Sequence, residues 1–220
     1  METTSGSTGR RRRNSLSRDE IVAAAFELFE EGAADVSLRS VATRIGASPM
    51  GLYAHIATKA DLLDAVADRV LDELPGPDDG TRDWIDAGVD RAAAHLAVLT
   101  AHPWAVPVLL ARPNPGPAAA IAGEHYLRTF ARGLDPDAAA VAFTATLAVV
   151  YGTAAFTTAA GRSADAQERD AVVERIRGVE GLPHTAAATG TLADYGSEAQ
   201  FRRSVRALLT GLAVSRRSPV

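Results

Sequence analysis

Apolar positions in residues 36–59 (VSLRSVATRIGASPMGLYAHIATK) repeat at helical rather than strand spacing. Leu38, Val41, Ala42 and Ile45 fall on one side of a helix that Ser37 is placed to cap. Gly46 follows at once, the residue best suited to a left-handed helix end. Ser48 then caps a second helix with Pro49 at its first position, where a missing N–H costs nothing. Leu52 and Ile56, four apart, anchor that helix on the first. Met50, Gly51, Tyr53 and His55 are left pointing elsewhere.

The flanks continue the pattern. Ser17 and Glu20 form an S-x-x-E capping box before a helix with Ile21, Ala24, Ala25, Leu28 and Phe29 on one face, ending at Gly32. Thr58 caps a helix over 59–74 whose stripe is Leu62, Leu63, Val66, Val70 and Leu71. The PGPDDG run at 75–80 is a boundary. From residue 81 the spacing predicts a larger helical unit. Its helices run over about 82–100, a short 104–111 among prolines, 118–132 and a long 138–160. A charged helix over 162–177, a Gly/Ala/Thr-rich mobile loop over 178–196 and a last helix capped by Ser197 follow. The fold class is therefore all-α: an N-terminal three-helix helix-turn-helix domain at 17–74 and a C-terminal helical domain at 81–220, with residues 1–16 a disordered basic arm.

Two helices joined around a glycine make the helix-turn-helix pattern, whose second helix enters the DNA major groove. Charge agrees. Residues 36–59 hold Arg39, Arg44 and Lys59 and no acid, a local +3, in a chain of net −4. A duplex repels an acidic protein that lacks such a face. Two surface helices of an ordinary bundle would show the same spacing, but packing alone gives no reason to present Pro, Met, Gly, Tyr and His to solvent. Arg39 suits base reading or a phosphate contact. The Arg10–Arg13 run suits phosphate or minor-groove contact, and equally a solvated tail.

Composition narrows the remaining classes. Hydrophobic residues make 47% and charged residues 23%, which is globular. No run approaches the ~20 apolar residues of a membrane span, and no apolar leader opens the chain, so a cytoplasmic, membrane-free protein is expected. With no cysteine there is no thiolate chemistry. G-x-S-x-G, Walker A and Rossmann glycine signatures are absent, and the five histidines lack paired acids, so no enzyme, cofactor or metal is expected.

The run 17–74 resembles the DNA-binding domain of TetR-family transcriptional repressors. The elements that carry the resemblance are S-L-R-x-V-A-x-x-I-G from Ser37, S-P-M-G-L-Y-x-H-I from Ser48 and K-x-D-L-L from Lys59. A weaker resemblance, through D-W-I, A-H-P-W and L-L-A-R-P, links 83–160 to the C-terminal domain of the tetracycline-repressor branch. The resemblance implies a homodimeric repressor on a palindromic double-stranded operator, released when a small-molecule inducer moves the fourth helix. Ser37, Arg39, Ser48, Pro49, Met50, Gly51, Tyr53, His55 and Lys59 become the DNA-binding set, with Tyr53, His55 and Lys59 on phosphate-contacting positions. Helices 138–160 and 197–214 become the dimer helices. His102, Trp104, Arg112, Tyr126, Phe130 and Tyr151 are the candidate ligand residues, though such aromatics also suit plain core. Val108 and Leu109 stand where the tetracycline repressor has a metal-binding histidine. The alternative is a helical small-molecule-binding protein with a degenerate helix-turn-helix.

Overall fold

A computed structural model describes residues 16–33, 35–111, 116–159, 166–194 and 196–215; the Arg10–Arg13 run and Arg112 lie outside them. All regular structure among the described residues is helical. The chain divides into two compact units, one ending at Val66 and one starting at Ala67.

The first unit holds α1 (Arg18–Glu30), α2 (Leu38–Ile45), α3 (Pro49–Leu52) and the start of α4 (Lys59–Leu71). Each begins on a hydroxyl cap that satisfies an otherwise orphaned N–H. The Glu20 N–H donates to Ser17 Oγ at 3.1 Å and the Asp61 N–H to Thr58 Oγ1 at 3.0 Å. At α2 the box is reciprocal, because Ser40 N–H donates to Ser37 Oγ (3.1 Å) and Ser37 N–H to Ser40 Oγ (2.9 Å). Gly46 closes α2 at φ +67°, a conformation open to glycine but costly with a side chain. Ile21, Ala25, Val41, Leu52, Ile56, Leu62 and Val66 form the buried centre.

The reading of 49–56 as one helix needs correction. Regular helix ends at Leu52, and Tyr53 is its C-cap. Ile56 still reaches the core, because its N–H donates to the Leu52 carbonyl at 2.9 Å and carries the chain one more turn.

The second unit begins with the end of α4 and holds α5 (Trp84–Ala101), α6 (Ala105–Ala111), α7 (Pro117–Phe130), α8 (Pro136–Ala159), α9 (Ala166–Arg177), α10 (Pro183–Ala193) and α11 (Glu198–Ser215). Central α5 packs against α7, α8 and α11, and α9 packs on α10. Val89, Ala92, Leu99, Phe130, Ala142, Val150, Val205 and Leu209 are the core.

Two expectations fail here. Residues 178–196 contain α10, not only a loop: Pro183 sits in its first turn, alanines sustain it, and the buried Thr189 hydroxyl donates back to the Thr185 carbonyl at 2.8 Å. Pro136–Thr157, at mean hydropathy 1.7, is also long and apolar enough to cross a membrane by length and composition. Ala139, Ala142, Thr146, Val150 and Ala154 of that helix are nevertheless buried, so one side of it packs into the second unit's core.

Candidate functional site

The first unit presents a compact polar face. Met50 is 77% and Tyr53 51% exposed, beside Leu52 at 0%, so a single turn separates what the core takes from what it leaves outside. Arg39, Ser48, Pro49, His55 and Lys59 are also exposed, and Ser37 and Gly51 are half-buried. Ser37 and Ser48 are capping residues first; the Gly51 N–H donates to Ser48 Oγ at 3.2 Å. All nine residues named from the sequence lie between the start of α2 and the start of α4.

The +3 charge of this stretch is offset by acids from outside it. Arg44 lies 3.5 Å from the Glu27 carboxylate and also pairs with Glu31, and Lys59 pairs with Asp35. The Arg44 hydrogen bond holds the Glu31 carboxyl below its usual range. Arg39 has no ion-pair partner among the described residues. Exposed pairs of this kind are worth little and exchange readily, so Lys59 remains available to an incoming phosphate.

The second unit holds a half-open cavity of about 260 Å³. Leu71 of α4, Leu109 of α6 and Leu147 of α8 are its aliphatic walls. Tyr126 of α7 with Phe143 and Tyr151 of α8 supply rings, and His95 of α5 completes it. Ala119, Ala122 and Gly123 keep the α7 side low. No charged side chain among the described residues lines it. The His95 ring meets Tyr151 edge-on at 5.4 Å and Tyr126 at 6.1 Å, and its Nδ1 is 3.4 Å from the Tyr126 hydroxyl. No group among the described residues partners His95 Nε2. A buried polar atom left so costs about 1–3 kcal/mol.

Of the ligand residues expected from the sequence, Tyr126 and Tyr151 line this cavity. Phe130, fully buried, is instead core: its ring packs edge-on against Trp84 at 6.2 Å. His102 caps the end of α5 and its Nε2 lies 2.9 Å from the Glu73 carboxylate, with the Trp104 ring edge-on at 6.2 Å. Neither His102 nor Trp104 lines the cavity. His95 carries no local signal beyond its place on an apolar helix face.

Burial, reinforced by the Arg91 charge, lowers the His95 pKa from 6.5 to about 4. Burial likewise raises both tyrosine hydroxyls, Tyr151 to about 12. All three are therefore neutral near pH 7. The unfolded chain protonates His95 near 6.5 and the folded chain only near 4. Unfolding thus takes up a proton between those values, and stability falls as pH drops through that window, by up to about 3 kcal/mol. Thermal midpoints between pH 7 and 4.5 should fall more steeply for the wild-type chain than for His95→Gln, a comparison that cancels the carboxylates. Parallel curves would contradict the burial.

Asp68 joins α4 to the same wall. Its carboxylate accepts the Ala118 N–H at 3.2 Å and the Ala119 N–H at 3.1 Å, capping α7 where the N-cap itself is Gly116. A Cβ on Gly116 would stand 2.1 Å from Asp68 Oδ1, so the missing side chain makes room for the borrowed cap. Asp68→Ala should cost about 1–2 kcal/mol, read by denaturant unfolding, with Asp68→Asn losing less.

Comparison with known proteins follows the same division. Residues 21–66 match the family model described as bacterial regulatory proteins, tetR family, and 76–216 match the tetracyclin repressor-like C-terminal domain. An HTH-type transcriptional regulator of Saccharopolyspora erythraea is 32% identical over 203 residues, covering 91% of this chain and 86% of the relative. The HTH-type transcriptional repressor DrrR1 of Streptomyces coeruleorubidus is 37% identical over 106 residues, covering 47% and 39%. Among solved structures, a TetR transcriptional regulator of Streptomyces coelicolor superposes with TM-score 0.74 at 27% identity, over 90% of this chain and 98% of that one. ActR of the same organism, crystallised with actinorhodin, shares the fold at TM-score 0.78 and 22% identity, over 92% and 99%.

Proposed function

The chain belongs to the TetR family of bacterial regulatory proteins and is a helix-turn-helix transcriptional regulator, and from that premise we propose that it is a repressor, homodimeric on a palindromic operator, that leaves DNA when a small molecule occupies the cavity. One observation carries the ligand response. Helix α4 is uninterrupted from Lys59, in the polar face, to Leu71, in the cavity wall. A ligand that displaces Leu71 acts on the helix whose first residue meets phosphate.

In this reading Arg39, Pro49, Met50, Gly51 and Tyr53 approach bases or the adjoining backbone. Tyr53, His55 and Lys59 take phosphates, while Ser37 and Ser48 hold the two short helices in place. The DNA-binding domain covers 17–74 and the ligand-binding and dimerisation domain 81–220. Tyr126 and Tyr151, joined by His95, contact the ligand. One short recognition turn makes few contacts, so two half-sites about 34–36 Å apart are required. Helices α8 and α11 are the dimer surfaces: Val141 and Phe156 on α8 and Val214 on α11 are about half exposed, large apolar groups that a twin covers. Repression, rather than activation, agrees with the repressor name of the DrrR1 relative. The place of action is the cytoplasm, where the DNA is.

The test starts from duplexes selected out of a randomised pool. The selected sequence should be palindromic, and affinity should fall steeply and log-linearly with salt. A compound that raises the melting temperature should weaken DNA binding in parallel, since linkage ties the two. Stabilisation with unchanged DNA affinity would refute induction.

A further inference from the structure

The cavity specifies the chemistry of its occupant, an inference that rests on the regulator reading above. Three features bear on it. Among the described residues the lining carries no carboxylate and no cation, so a charged ligand entering it loses hydration without gaining a counter-charge from them. Arg91, 8% exposed and occupied with the carbonyls of Pro75 (3.2 Å) and Gly76 (2.8 Å), has its guanidinium 5.8 Å from the Tyr126 ring centre; its field further opposes a positive ligand. Rings of His95, Tyr126, Phe143 and Tyr151 form a connected wall with centre-to-centre spacings of 5.4 to 6.1 Å, a surface that receives another ring edge-on or offset.

Within that wall one polar atom is unsatisfied. His95 Nδ1 is near the Tyr126 hydroxyl, whereas Nε2 is buried with no partner among the described residues. We propose that the inducer is an uncharged aromatic molecule with one hydrogen-bonding oxygen, that His95 Nε2 is the group this oxygen meets, and that cations are excluded. Gly123 sets the depth available to the ring: its missing side chain faces Phe143 Cζ across 3.4 Å, so a bulky residue there fills the cavity.

The probes are 2-naphthol, naphthalene and 2-naphthylmethylammonium, which share a ring system and differ in the oxygen and the charge. They are titrated calorimetrically into the full chain. Naphthol should bind about tenfold more tightly than naphthalene and at least tenfold more tightly than the ammonium compound. His95→Phe should abolish the naphthol preference while retaining naphthalene, and His95→Gln, able to hydrogen-bond, should restore part of it. Gly123→Leu should weaken all three. Equal or tighter binding of the cation, no binding of naphthol, a naphthol preference surviving His95→Phe, or binding indifferent to Gly123→Leu would overturn the proposal. DNA binding is measured separately without probes. A wild-type chain that binds naphthol as expected but no duplex supports this ligand class and overturns the regulator reading alone.

Discussion

Changing Arg39, Tyr53 and Lys59 together to alanine should lower affinity for a selected duplex by at least about 100-fold and flatten its salt dependence, while the thermal midpoint barely moves. The size follows from summing three contacts at about 1–3 kcal/mol for a base contact and less for each phosphate. The asymmetry follows from exposure. Arg39, Tyr53 and Lys59 all stand outside the core, and the one ion pair lost among the described residues, Lys59–Asp35, is a surface pair worth under about 1 kcal/mol. Fluorescence anisotropy on a labelled duplex and a thermal melt on the same preparation decide it. DNA affinity unchanged in the triple variant would remove the helix-turn-helix from the function altogether.

Phe130→Ala should produce the opposite pattern, a large loss of stability with the DNA face intact. The ring is wholly buried, touches Trp84 and Tyr126, and lies so close to α5 that a Cβ on Gly88 would be 2.7 Å from its Cε1. Removing it from such packing costs about 3–5 kcal/mol, on the order of 10 °C in melting temperature for a chain of this size. Differential scanning calorimetry gives the shift, and Trp84 fluorescence reports the loosened neighbourhood. A small shift accompanied by lost ligand binding would return Phe130 to the cavity wall.

The contrast between these two variants shows what the sequence made legible. Caps at Ser17, Ser37, Ser48, Thr58 and Ser197 were readable because a cap and its N–H lie three residues apart. The apolar stripes that bury Ile21, Val41, Leu52 and Leu62 were readable for the same reason, as periodicity is local. Charge on the polar face was not, because the acids that meet Arg44 and Lys59 come from residues 27–35, outside the 36–59 stretch that holds the cations. Tyr126 and Phe130 are one turn apart on α7, equally aromatic and equally buried, yet only one reaches the cavity. That difference depends on where α5 and α8 lie against α7. His95 and His102 stand seven residues apart, a spacing that would put both on one helix face, yet the fold separates them: one faces Tyr126 and Tyr151, the other Glu73.

Asp68 is the residue least visible from its own neighbourhood, since the helix start it serves is fifty positions further on. Anyone grafting this sensor onto a foreign reading head must choose a splice point, and the obvious one is the 75–80 turn. Cutting there exports Asp68 with the discarded half and leaves Gly116 facing a stranger's side chain. A join at Val66–Ala67 keeps the pair in one piece, and hybrids made at the two seams should differ in yield and melting temperature accordingly.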